Sequence, residues 1–68
     1  MSAYKVIQVV GTSTKSWEDA TQAAVAAAAK SLRDLRIARV TEMDVTVDKK
    51  GKITQYRCKV DISFKYEM

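Results

Sequence analysis

The stretch Lys52-Ile53-Thr54-Gln55-Tyr56-Arg57-Cys58-Lys59-Val60-Asp61-Ile62-Ser63-Phe64-Lys65-Tyr66 alternates residue by residue. Tyr56, Cys58, Val60, Ile62, Phe64 and Tyr66 fall on one parity; Gln55, Arg57, Lys59, Asp61, Ser63 and Lys65 fall on the other. Only an extended chain puts i, i+2 and i+4 on one face, so this period predicts a long β-strand with one apolar and one polar side. Its length is well beyond the common strand of about 5–6 residues. Such a strand needs a long neighbour beside it and an apolar layer against one face.

Upstream, Asp48-Lys49-Lys50-Gly51 reads as a tight hairpin turn with glycine at its end. The segment before it, Ile37–Val47, is strand-like but changes parity. Ile37, Met43, Val45 and Val47 share one phase, Ala38 and Val40 the other. A parity change inside a strand predicts a bulge or bend near Thr41–Asp44. Further back, seven alanines between Ala20 and Ala29 mark a helix, predicted over Trp17 to about Leu35 and nearly 30 Å long at about 1.5 Å per residue. Its apolar stripe is Trp17, Ala20, Ala24, Ala28, Leu32 and Leu35, and Trp17 is expected to anchor the helix on the sheet. Ser16 is the expected N-cap, with Asp19 three residues on. Tyr4–Val10 is the first strand, with apolar residues on both faces, so cover is expected on both sides. Gly11-Thr12-Ser13-Thr14-Lys15 is expected to break it.

The element order is therefore β-α-β-β, an α+β fold. A right-handed crossover makes the first two strands parallel. The long third strand then lies between them, antiparallel to both, in a three-stranded sheet of order 1-3-2 partly wrapped around one long helix.

Sixty-eight residues make one domain, 1–68, that is marginal alone, since a chain this short buries only about 60% of its unfolded surface. One cysteine excludes an internal disulfide, and one Cys without any His cannot build a structural zinc site. Oligomerisation is the remaining remedy. Cys58 lies on the apolar face and is read as a buried small hydrophobe. The net charge is +4, but the basic residues are dispersed apart from Arg33, Arg36 and Arg39 near a helix end. Nucleic-acid binding wants them clustered and interleaved with exposed aromatics, so no nucleic-acid partner is expected. No apolar run approaches the roughly 20 residues of a membrane span, and no charged-then-apolar leader opens the sequence. No membrane partner is expected, and the expected location is cytoplasmic. With no histidine, no nucleophile–base pair and no phosphate loop, no enzyme is expected either.

The order and spacing of these stretches resemble the dodecin family. The likeness covers nearly the whole chain: Tyr4-Lys5-Val6-Ile7 through Val10-Gly11-Thr12-Ser13, the helix ending in Leu32-Arg33-Asp34-Leu35, Val40, and Tyr56 to Phe64. The resemblance implies a hollow homododecamer, helices outward and sheets inward, that binds and stores a ligand without turning it over. It also implies that the polar face of the long strand is an interior, subunit-contacting face. Flavin-binding members stack flavin on a Trp at the start of the second strand and use a Gln after the Tyr of the third. Here those positions are Ile37 and Arg57, while Glu42 keeps the acidic position near the ligand's sugar chain. Ile37, Glu42 and Arg57 are thus the ligand-pocket equivalents. Arg57 can donate hydrogen bonds but not accept them.

The stretches Arg36-Ile37-Ala38-Arg39-Val40, Gly51-Lys52-Ile53-Thr54 and Ser63-Phe64-Lys65 look more like the Trp-less calcium dodecin branch. The resemblance therefore implies calcium or another small ligand at subunit interfaces. The alternative is an altered flavin (FMN or riboflavin) site, with Arg57 pairing the FMN phosphate. Calcium takes six to eight oxygens, and Asp44 and Asp48 have neither EF-hand spacing nor its glycine and final glutamate. The candidate metal ligands are Glu42, Asp44, Asp48 and Asp61, to be gathered by symmetry.

Overall fold

The computed structural model describes residues 2–66. Four elements follow in order: β1 (Tyr4–Ser13), α1 (Trp17–Ala29), β2 (Leu35–Val47) and β3 (Ile53–Lys65). The sheet has the expected order β1-β3-β2, with β3 antiparallel to both neighbours. The core lies between α1 and one face of the sheet. Ala20, Ala24 and Ala28 pack there against Cys58, Val60 and Ile62, and Ile7, Val9, Val25, Leu32 and Leu35 close around them. Cys58 is buried as expected, and its Sγ donates to the Trp17 carbonyl at 3.3 Å.

Two boundaries differ from the sequence expectation. The helix stops at Ala29, so it is about 20 Å long rather than nearly 30 Å. Its last turn tightens, with Lys30, Ser31 and Leu32 amides bonding Ala27 and Ala28 carbonyls, and Asp34 then takes a left-handed φ of 58° that turns the chain into β2. Asp is among the few non-glycine residues that enter that region at low cost. Leu32 and Leu35 do reach the core, but from the loop and from the first residue of β2. At the other end, Gly11-Thr12-Ser13 does not break β1. It continues the strand, pairing with Cys58, Arg57 and Tyr56.

Gly11 sits in mid-strand because α1 lies directly on it. A Cβ there would overlap the Ala20 carbonyl oxygen and press on the Ala24 amide nitrogen at 2.9 Å. Alanine on the helix and glycine on the strand bring two backbones into contact. Past Ser13 the chain turns through a polar knot. The Ser13 hydroxyl donates to Asp19 at 2.7 Å and accepts from the Lys15 amide at 2.9 Å. Ser16 caps α1, accepting from the Asp19 amide at 3.0 Å. Trp17 then hangs over the sheet, its indole N–H donating to the Asp44 carbonyl at 3.1 Å and its ring edge-on to Tyr56 at 5.1 Å.

The register between β2 and β3 slips between Val40 and Glu42, inside the window where the parity change foretold a bulge, and also at Leu35/Ile37 and Thr46/Val47. The slip at Thr41 has a geometric consequence. Ala38 and Val40 share the helix face with Met43 and Val45, so Ile37, Arg39, Glu42 and Asp44 all lie on the opposite, open face, beside Ser63, Asp61, Lys59 and Arg57. On β1 the same face carries Val6, Gln8, Val10 and Thr12.

The chain is elongated, 53 × 19 × 14 Å, with a radius of gyration of 14.0 Å. A compact chain of this length would have about 11 Å. Tyr4, Val6, Val10, Ile37, Met43, Val47 and Ile53 are each more than half exposed.

Gly11→Ala is expected to cost about 1–3 kcal/mol, the usual penalty of overpacking a tight contact. Urea unfolding at matched protein concentration reads it, and an unchanged midpoint would contradict the close helix–strand approach. Gly51, with φ 82° but open space around it, is a control in which Ala is strained by backbone alone.

Candidate functional site

The open face of the sheet carries three cross-strand ion pairs. Opposite charges on facing positions of antiparallel strands attract across the pair. Arg57 and Asp44 form a two-pronged pair, Nε donating to Oδ1 at 2.7 Å and Nη2 to Oδ2 at 3.0 Å. One row along, Lys59 Nζ lies 3.7 Å from Glu42 Oε1. In the next row the signs reverse. Arg39 lies 3.8 Å from Asp61, which also accepts from Gln8 Nε2 at 2.9 Å. The following row has no charge: Val6, Ser63 and Ile37, with the Ser63 hydroxyl donating to the Ile37 carbonyl at 3.4 Å.

Two shallow hollows lie on this face. One is lined by Val10, Glu42, Asp44, Arg57 and Lys59, the other by Val6, Ile37, Arg39, Asp61 and Ser63. Of the ligand-pocket residues expected from sequence, Glu42 and Arg57 share the first hollow and Ile37 lies in the second. All three stand on one face because of the slip at Thr41. Of the candidate metal ligands, Glu42 and Asp44 line the first hollow and Asp61 the second. Asp48 stands apart in the hairpin turn, its carboxylate accepting from the Lys50 and Lys52 amides at 2.8 and 3.0 Å, as an Asx-type turn does. Among the described residues, no three metal-ligating side chains of one chain converge on a point.

Val10, Arg39, Lys59 and Val6 escaped the sequence reading as site residues. Counting outward from Asp48–Gly51 would set Asp44 opposite Gln55; the irregularity at Thr46/Val47 shifts the register so that Arg57 stands opposite Asp44 and Lys59 opposite Glu42. Which side the pairs occupy beyond Thr41 depends on the bulge.

The guanidinium hydrogen bonds hold the Asp44 carboxyl below its ordinary range, with a smaller coulombic pull from Arg57 in the same direction. The same bonds raise Arg57. A carboxylate whose pKa is depressed on folding contributes stability above its unfolded pKa of about 3.9, and that contribution is lost as pH falls through the lower folded value. In Arg57→Gln the Asp44 titration midpoint, followed by its side-chain carboxyl carbon shift in NMR, is expected to move upward toward the ordinary value. An unmoved midpoint would mean that the pair does not persist in solution.

Comparison with known proteins adds to this geometry. The family model described as Dodecin matches residues 3–67. The calcium dodecin of Mycobacterium tuberculosis is 55% identical over 65 residues, covering 96% of this chain and 90% of that protein. The dodecin of Thermus thermophilus is 38% identical over 64 residues, covering 94% and 91%. Among solved structures, a crystal structure of the M. tuberculosis protein, described as calcium-chelating with a novel calcium-binding site, superposes with a TM-score of 0.84 at 52% identity, covering 97% of this chain and 93% of that one. A T. thermophilus dodecin variant superposes at 0.91 with 35% identity over the full length of both chains.

Proposed function

The chain belongs to the dodecin family, and on that premise we propose that it is a non-catalytic binding and storage protein, assembled as a hollow homododecamer, that takes up calcium. The observation that carries this reading is the likeness to a calcium-chelating relative across nearly the whole chain. Two features of the structure support it. Tyr4, Val6, Val10 and Ile37 leave an apolar strip beside a charged one on the open face, which suits a face buried between subunits. Glu42 and Asp44 stand two residues apart along the register on that same face, where symmetry can bring further oxygens to them. Asp61 shares the face, whereas the turn amides already occupy Asp48. In the charged hollow Arg57 and Lys59 compensate the two carboxylates. No helix of the described residues is long and apolar enough to cross a membrane; the proposed location is the cytoplasm.

The alternative is a flavin site of altered chemistry. It draws support from Ile37, which is exposed on the open face at the position where flavin-stacking relatives carry Trp. An aliphatic side chain there forgoes aromatic stacking worth about 0.5–1.5 kcal/mol beyond area burial.

Sedimentation equilibrium is expected to give about 91 kDa, twelve times 7.6 kDa. Calorimetry is expected to show calcium binding that Glu42→Gln with Asp44→Asn removes. Particles that bind no calcium would overturn the calcium reading. Ile37→Trp is expected to create FMN fluorescence quenching at micromolar protein. Quenching already present in the unsubstituted chain would favour the flavin alternative.

A further inference from the structure

We propose that the helix side of β2 is a docking strip for α1 of a second copy of this chain, so that each helix lies between its own sheet and a neighbour's. The inference rests on the homododecamer reading above and names two surfaces that meet in it.

Three observations carry it. The first is a bare apolar strip. α1 packs over β1 and β3 and scarcely touches β2. The helix-side phase of β2 is left open: Ala38, Val40 and Met43 are exposed, Val47 is exposed beyond them, and the exposed Ile53 stands opposite Val47 across the hairpin. From Ala38 to Val47 no charged residue falls on this phase. Single apolar residues are ordinary on a surface, but a contiguous row of them marks a contact.

The second is fit. The strip from Ala38 to Val47 runs about 30 Å, and α1 is about 20 Å long. Neighbouring strands lie about 4.8 Å apart, and packed helices lie about 8–10 Å apart axis to axis. A second helix set beside α1 on this face therefore comes down over β2.

The third is the helix itself. A helix with one face on a sheet ordinarily carries charged residues on the other. Between Ala20 and Ala29 α1 carries none, and its exposed side shows Gln22, Ala23, Ala26 and Ala27. These side chains are mostly too small to keep a neighbour at a distance. They also leave room for Trp17, which is partly exposed and reaches across to β2 at the Asp44 carbonyl. An unrelated helix would satisfy the first two observations; the α1 of this chain is itself short of a partner for its exposed side. The contact is heterologous: each copy gives a helix and receives one, so repeated contacts close into rings.

The test is sedimentation of the full chain carrying Ala27→Glu or Met43→Glu at micromolar concentration. Both side chains are exposed in the single chain, so neither substitution removes a core contact. Each is expected to lower the particle mass to less than half that of the unsubstituted particle. Cross-linking gives a second readout that does not depend on how the lone chain folds. With Cys58→Ala as background, Ala27→Cys together with Met43→Cys is expected to yield covalent multimers beyond the dimer with a short bismaleimide, and either cysteine alone none. Multimers from Met43→Cys alone would set β2 against β2 and overturn the helix as occupant. Unchanged particle mass in both Glu variants, or no multimers from the double-cysteine chain, overturns the docking strip and leaves the homododecamer standing. An unsubstituted chain that sediments as a monomer overturns both.

Discussion

The structure depends on a mismatch of length. A 13-residue helix rises about 20 Å, while the 13-residue strands β2 and β3 each run about 43 Å. One helix therefore covers only the middle of one face. The close contact through Gly11, Ala20 and Ala24 fixes where it sits, over β1 and β3. Everything else follows from what it fails to reach: the far hairpin arm with Val47 and Ile53, Met43 on β2, and the whole open face. A chain that leaves so much apolar surface bare, with a core of three alanines, a cysteine, a valine and an isoleucine at its centre, is a component of something larger.

The fold was legible because β3 alternates so cleanly. Its apolar phase points at α1 and its polar phase away, and the turn at Asp48–Gly51 supplies the partner strand. The helix end was not legible, since Leu32 and Leu35 continue the 3–4 spacing of the alanine stripe. Periodicity records which residues face the core, and a loop and a strand can deliver a side chain to that core as well as a helix can. The continuation of β1 through Gly11 was hidden for a related reason. A glycine before Thr-Ser reads as a turn, but here it marks a place where two backbones meet.

The site was legible in its parts and not in its arrangement. Arg57, Glu42 and Ile37 could be picked out because the resemblance pointed to their positions, and Asp44 because it is a carboxylate near them. That Arg57 grips Asp44 requires the register, and that Ile37 shares a face with Glu42 requires the one-residue slip at Thr41. A slip of one residue moves every following side chain across the sheet. Without it, Ile37 and Arg39 would stand on the helix side while Glu42 and Asp44 faced out.

The slip also accounts for the electrostatics. It keeps β2's acidic residues opposite β3's basic ones toward the hairpin and β2's arginine opposite β3's aspartate farther along, between the buried Val60 and Ile62. Three pairs, two of one polarity and one reversed, leave the face with almost no net charge although the chain carries +4. The excess lies elsewhere, on Lys5, Lys15, Lys30, Arg33, Arg36 and the turn lysines. A face of balanced, exchangeable pairs can approach a copy of itself without the repulsion that a charged face of the same size would meet.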